Sequence, residues 1–298
     1  MRLFVSDLDG TLLSSEGRLS DVSLGILIRL LADGLPFTVA SARSSVSMRQ
    51  VLRGLPLRLP VVEYNGAYIS DLATGRHLHC EALAAETAAA VLAIGARHGL
   101  APMAATYDGA EDHVHLLPPA NDGLAGYERT RLAAGDKRLR RVADLQPALR
   151  ERVVCLSFMD RSEALEPLRD ELARACGAAV QVLLMPEPHA PPWHWLAVYA
   201  RRATKAQALE TLVAHTGVPL SDVTVFGDQV NDLPMMTACG HAVAVANAVD
   251  EVKRQAREVI GDHDADSVAR YLDARWRQDR TARAARNASH QPSSTWDG

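Results

Sequence analysis

The apolar residues of this chain come in short blocks separated by amphipathic stretches. The first block, Leu3-Phe4-Val5, reads as a buried strand. Ser20 stands as an N-cap before a helix that carries Leu24, Leu27, Ile28 and Leu31 on one face. Gly34 ends that helix, and Leu35-Pro36-Phe37-Thr38-Val39-Ala40 returns as a strand. A strand–helix–strand unit of this kind implies parallel pairing with a right-handed crossover. The block Leu59-Pro60-Val61-Val62-Glu63-Tyr64 is expected as the next strand and ends in Asn65-Gly66-Ala67.

From residue 82 to 192 the rhythm changes. A helix is expected near Ala82–His98, followed by short alternating segments at Ala101–Thr106 and His113–Leu117. A polar helical region from Asn121 to about Leu149 leads to a strand at Arg152–Met159. The helix Ser162–Cys176, with Leu165, Leu168 and Leu172 on one face, precedes a strand at Ala179–Met185 and the Pro-rich turn Pro186–Pro192. Paired strands and helices here break the strict alternation on either side, which marks an inserted α+β domain.

The parallel pattern is expected to resume near residue 194. Thr204-Lys205-Ala206-Gln207 opens a helix carrying Leu209, Leu212 and Val213, closed by Gly217. The strand Val223-Thr224-Val225-Phe226 runs into Gly227-Asp228-Gln229-Val230-Asn231-Asp232. Helices at Leu233–Cys239 and Asp250–Arg257, a strand at His241–Ala246 and a last helix through Val268, Tyr271 and Leu272 follow. The predicted fold class is α/β: a Rossmann-like, doubly wound parallel sheet with an inserted α+β cap domain. The expected boundaries are a core at 1–81 and 193–276, a cap at 82–192, and a disordered polar tail at 277–298.

Composition changes this picture little. With 298 residues, 48% hydrophobic and 23% charged, the chain can bury a full core and is expected to form more than one domain. A net charge of -4 gives no reason to expect a nucleic-acid partner. No apolar stretch has the length of a membrane span, and a strand at the outset leaves no room for a secretory segment, so a cytoplasmic setting is expected. Cys80, Cys155, Cys176 and Cys239 have no paired spacing and predict neither a zinc site nor a disulfide framework. Oligomeric state is not legible.

The chemistry gathers at the predicted strand ends, where open parallel sheets bind ligands. In an extended chain Asp7 and Asp9 leave on one side, and two adjacent carboxylates repel unless a cation or a proton separates them. Gly10 permits a turn there, and Thr11 adds a hydroxyl. Ser41-Ala42-Arg43 and Asn65 end the next two strands. Asp228 and Asp232 form a second acidic pair. Lys205 opens a helix, a position unfavourable for a cation unless an anion is also present. His194, between Trp193 and Trp195, reads first as packing. Asn231 and Asn247 are candidate loop-orienting residues, while Asp21 and Asp250 read as ordinary helix-start acids.

Four motifs, Asp7/Asp9, Ser41, Lys205 and Asp228/Asp232 in chain order and at these element ends, resemble those of the haloacid-dehalogenase-like phosphatases, most closely the Cof-type members with a cap between the second and third motifs. The resemblance covers the chain up to about residue 275. It implies that Asp7 is the nucleophile and that Asp9 shuttles a proton. It also implies that Asp228 and Asp232, with Asp7 and the Asp9 carbonyl, hold Mg²⁺, which suits an oxygen-only site. Ser41 and Lys205 are implied to bind phosphoryl oxygens, with Gly10, Thr11, Ala42, Arg43, Asn65, Asn231 and His194 as further phosphate or substrate contacts. Ser41 stands where threonine is usual, and Ala42 and Ala206 where glycine is common. The implied activity is hydrolysis of a small phosphorylated metabolite. A phosphomutase or a silent phosphometabolite-binding protein would use the same residues. A dehalogenase would leave Asp9 idle, and the EF-hand spacing from Asp7 meets Arg18 where an acid is needed.

Overall fold

The computed structural model describes residues 2–187 and 190–288. In chain order its elements begin with β1 (Leu3–Ser6), α1 (Asp21–Ala32), β2 (Phe37–Val39), α2 (Ser45–Val51), β3 (Val61–Glu63), β4 (Tyr68–Ser70) and β5 (His77–Cys80). There follow α3 (Ala85–Arg97), β6 (Met103–Tyr107), β7 (Asp112–Leu116), α4 (Asp122–Ala133), β8 (Leu139–Arg141), β9 (Arg152–Asp160), α5 (Ser162–Cys176) and β10 (Val180–Pro186). The last group is β11 (His194–Ala200), α6 (Lys205–Thr216), β12 (Val223–Gly227), α7 (Leu233–Ala238), β13 (His241–Ala244), α8 (Asp250–Gln255), β14 (Glu258–Val259) and α9 (Ser267–Ala288). The chain divides into two compact units, residues 1–40, 47–60 and 213–298 in the first and 41–46 and 61–212 in the second. Among the described residues no helix is long and apolar enough to cross a membrane.

The first unit is built on a five-stranded parallel sheet in the order β14-β13-β12-β1-β2. Phe4, Val5, Val225, Phe226 and Val243 are buried within it, as parallel strands covered on both faces require. Helix α1 starts as expected, with Ser20 Oγ accepting from Ser23 N at 2.9 Å. Its buried face is rotated from the expected one, however. Leu27, Leu30 and Leu31 are buried while Ile28 is 44% exposed. Helix α9 runs on to Ala288, into the stretch expected to be a disordered tail. Trp276 is buried, and Arg277 pairs with Asp273 one turn back at 2.8 Å, which supports a helix with few apolar residues. Residues 289–298, with Trp296, lie outside the described residues.

The second unit contains a six-stranded sheet, β10-β11-β9-β6-β7-β8, antiparallel except for the β7–β8 pair. Leu165, Leu168 and Leu172 of α5 are fully buried in its core with Val154, Leu156 and Phe158. Burying each such leucine contributes about 1.5–3 kcal/mol. At residue 194, where the parallel pattern is expected to resume, the chain instead forms β11, paired antiparallel with both β9 and β10 through the register Leu196↔Phe158 and Val198↔Val182. The antiparallel pairing therefore runs on to Ala200. The long polar helix expected to about Leu149 ends at Ala133, and β8 then pairs with β7.

A three-stranded antiparallel sheet, β3-β4-β5, completes this unit. The block at 59–64 was expected to join the parallel sheet, but Val61–Glu63 forms a hairpin with Tyr68–Ser70. The turn between β4 and β5 is closed by Asp71, whose carboxylate accepts from Thr74 N at 2.8 Å and Thr74 Oγ1 at 2.9 Å. All four cysteines are free, and burial pushes the Cys155 thiol up to about 11.

Candidate active site

In the first unit, β1 and β12 lie side by side in parallel register, Ser6 opposite Phe226. The residues that leave their carboxyl ends are therefore neighbours, and Asp7 N donates to Phe226 O at 3.0 Å. Asp7, Asp228 and Asp232 are all buried and offer carboxylate oxygens within 4.8 Å of one another. Like charges this close, withdrawn from water, suit a site that takes a cation. The donors are all oxygen, which fits a hard divalent ion such as Mg²⁺.

The loop geometry holds these carboxylates in place. Asp232 Oδ2 accepts from Asp228 N at 3.0 Å and Gln229 N at 3.1 Å, tying the second acid to the backbone of the first. Thr11 Oγ1 donates to Asp228 Oδ1 at 2.7 Å, so the hydroxyl expected to meet phosphate is committed to positioning a carboxylate. Gly10 adopts φ +75°, and a Cβ there would strike Asp228 Oδ2. Asn247 Nδ2 donates to Gly10 O at 2.7 Å and its Oδ1 accepts from His263 N at 3.1 Å, the orienting role expected for that asparagine. Asp9, two residues after Asp7, is half-buried in the turn Leu8–Leu12. Asn231 is half-buried in the turn Val230–Asp232. Gly227 is a requirement not read from sequence, since a Cβ there would collide with the Asp232 side chain.

In the second unit, Ser41, Asn65 and Lys205 are nearly inaccessible, at 1%, 2% and 1% exposure. Ser41 N donates to Val62 O at 3.0 Å and Ser41 O accepts from Asn65 N at 2.9 Å, so the two loops are stitched together. Ser41 Oγ accepts from Arg43 N at 3.2 Å, and Arg43 O accepts from Tyr64 N at 3.1 Å. Ala42 and Arg43 are half-buried. Gly66, at φ +110°, lies so close to the Thr204 backbone that a Cβ would overlap it, which sets the Asn65-Gly66 turn against the start of α6. Thr204 Oγ1 caps that helix by accepting from Gln207 N at 2.9 Å. Lys205 is its first residue. His194 lies at the far end of β11 from Ala200, about 20 Å along the strand. Its Nδ1 is 3.1 Å from Pro192 O.

Glu63 was not singled out by sequence reasoning, although a carboxylate in the apolar run Val61-Val62 is a signal. It is fully buried, and its carboxylate accepts from Ser45 N, at the start of α2 just beyond the Ser41–Arg43 loop. Burial holds its carboxyl above the usual range, against the lowering effect of the Ser70 hydroxyl and the Ser45 N–H. A raised folded-state value makes this contribution to stability complete below about pH 4.5. It is lost as pH rises through the higher folded value. Glu63→Gln keeps an acceptor for Ser45 N without the ionisation. Thermal midpoints across pH should therefore show wild type falling relative to Glu63→Gln above pH 4.5; parallel curves would contradict this assignment.

Acids collected at the carboxyl ends of neighbouring strands in an open parallel sheet lie where α/β proteins bind their ligands. The family follows from comparison: the haloacid dehalogenase-like hydrolase family matches residues 4–272, and the chain belongs to it. It is 27% identical over 277 residues to 5-amino-6-(5-phospho-D-ribitylamino)uracil phosphatase YitU of Bacillus subtilis, covering 91% of this chain and 96% of that one. It is 28% identical over 273 residues to the HMP-PP phosphatase of Cronobacter sakazakii, covering 91% and 94%. A haloacid dehalogenase-like hydrolase from Bacteroides thetaiotaomicron superposes with a TM-score of 0.74 at 25% identity, over 92% of this chain and 98% of that one.

Proposed function

We propose that this protein is a Mg²⁺-dependent phosphatase that hydrolyses a small phosphorylated metabolite through an aspartyl-phosphate on Asp7. The observation that carries the reading is the buried group Asp7, Asp228 and Asp232 with Asp9 two residues beyond the first. The Asp7 carboxylate attacks phosphorus and the bond to the leaving oxygen breaks. Asp9 gives that oxygen a proton, then takes one from the water that attacks the same phosphorus. Breaking the Asp7–phosphorus bond returns the carboxylate and releases inorganic phosphate. Bound Mg²⁺, held by Asp7, Asp228, Asp232 and the Asp9 carbonyl, would draw charge from the phosphoryl oxygens. Ser41 and Lys205 are assigned to those oxygens on the resemblance of their motifs to those of the family.

The segment from residue 82, extended to Ala200 by the pairing of β11, is proposed as the cap that selects the leaving group. The two relatives named above act on different phosphorylated compounds, so the substrate is assigned only as a small phosphorylated metabolite, a sugar phosphate or similar phosphomonoester. A cytoplasmic setting is proposed with it. The test is phosphate release from a panel of phosphorylated sugars, nucleotides and cofactors, with Mg²⁺ and with chelator. Mg²⁺-dependent release from at least one member is expected. Absence of turnover on all would favour a silent binding protein, and transfer to a second sugar in place of water would favour a mutase.

A further inference from the structure

A second group of metal-ligating side chains lies in the six-stranded sheet of the second unit. His113 and His115 are two residues apart on β7, so their imidazoles leave the same face of the strand. The register sets Thr106 of β6 directly opposite His113, and the pairing of β6 with β9 brings in Glu151, the residue before β9. Glu151 Oε2 is 3.0 Å from His113 Nδ1 and 3.4 Å from His115 Nε2, and the Thr106 hydroxyl donates to the same oxygen. The two imidazoles are 14% and 12% exposed and meet edge to face.

Two features of this group exceed the needs of a structural hydrogen-bond cluster. Two imidazole nitrogens and the Thr106 hydroxyl converge on one carboxylate oxygen, which has two lone pairs to offer. The spacing also matches that of a metal centre. Ligands about 2.0–2.1 Å from a tetrahedral Zn²⁺ lie about 3.3–3.4 Å from one another. The Glu151–histidine separations of 3.0 and 3.4 Å are close to that, and all three ligand atoms fall within 4.8 Å. His115 and Glu151 also line a cleft of about 370 Å³, with Asp144 and Pro147 on its wall, which leaves room for a water as fourth ligand. The Glu111 carboxylate, 4.0 Å from His113 Nε2, adds negative charge behind one ligand.

We propose that His113, His115 and Glu151 bind a divalent transition metal of the Zn²⁺ type, at a site separate from the Asp7 group. The donor chemistry distinguishes the two. Imidazole nitrogen favours Zn²⁺, Co²⁺ or Ni²⁺ over Mg²⁺, whereas the three aspartates offer only oxygen. One metal is thus bound without displacing the other.

The test uses full-length protein, stripped with chelator, carrying Asp228→Asn to disable the oxygen-only site. Titration with Co²⁺ should produce the visible absorption of a four-coordinate ion at one equivalent, and Zn²⁺ should displace it. Adding His115→Gln should weaken Co²⁺ binding by about 100-fold or more. The single variant His115→Gln should keep Mg²⁺-dependent turnover on the best substrate of the panel, which shows that it folds. Glu151→Gln serves as the second ligand variant. Absence of Co²⁺ uptake by the Asp228→Asn protein would overturn the proposal. So would uptake of equal tightness after His115→Gln or Glu151→Gln.

Discussion

Asp7→Asn is expected to abolish phosphate release, by about 10⁴-fold or more in kcat, while leaving the fold in place. The amide is nearly isosteric with the carboxylate, and the backbone bond from Asp7 N to Phe226 O does not depend on the side chain. In the proposed mechanism what is lost is the nucleophile itself, so substrate binding should change far less than turnover. Asp9→Asn is expected to behave differently. It keeps the proposed nucleophile but removes the proposed proton donor to the leaving oxygen and base for water, for an expected loss of about 10²–10⁴-fold. Substrates with good leaving groups should suffer less in the first step, so the deficit should concentrate in hydrolysis of the intermediate. Steady-state kinetics on one ester with a poor leaving group and one with a good one separates these outcomes.

The second large effect is expected at Asp228. This carboxylate is buried, accepts the Thr11 hydroxyl and lies beside Asp7 and Asp232, so it belongs to the group that would hold Mg²⁺. Asp228→Asn removes one of three negative charges from an oxygen-only site, and the affinity of a hard cation depends on that count. A loss of about 10³-fold in kcat/KM at moderate Mg²⁺ is expected, partly recovered at high Mg²⁺. Chelation of the wild type should mimic the variant, with activity restored by Mg²⁺. A cation that binds only the folded chain also stabilises it, so on metal-free protein added Mg²⁺ should raise the wild-type melting midpoint and shift that of Asp228→Asn little. Full activity in chelator would remove the metal from the account.

Much of the candidate site was legible because chemistry at a strand end leaves a compact trace. Asp7 follows an apolar run and Asp228 follows Val223–Gly227, and adjacency of two parallel strands is enough to bring them together. What was not legible depends on pairing and on side-chain direction. An apolar block such as Leu59–Tyr64 or His194–Ala200 reads the same whether its partner runs parallel or antiparallel. Both formed antiparallel pairs. The face of α1 was misjudged by one position because Leu24, Leu27, Leu30 and Leu31 support two overlapping stripes, and packing chose the one that leaves Ile28 outside. The polar stretch after Arg277 lacks apolar periodicity, yet α9 continues to Ala288, with Arg277 paired to Asp273 one turn back. Glu63 and the His113–His115–Glu151 group needed tertiary structure, since each acquires its meaning from partners 18 to 38 positions away.

The two carboxylates that follow β1 are given distinct tasks by this account, and one measurement addresses that division directly. Asp9→Asn protein is mixed with a substrate of good leaving group and Mg²⁺, quenched in acid within a single turnover, and the peptide containing Asp7 is analysed by mass spectrometry. The account predicts that this peptide gains the mass of one phosphoryl group at Asp7, in a linkage cleaved by hydroxylamine and absent from the double variant with Asp7→Asn. Leaving-group release without any phosphorylated Asp7, or turnover that survives Asp7→Asn, would contradict it.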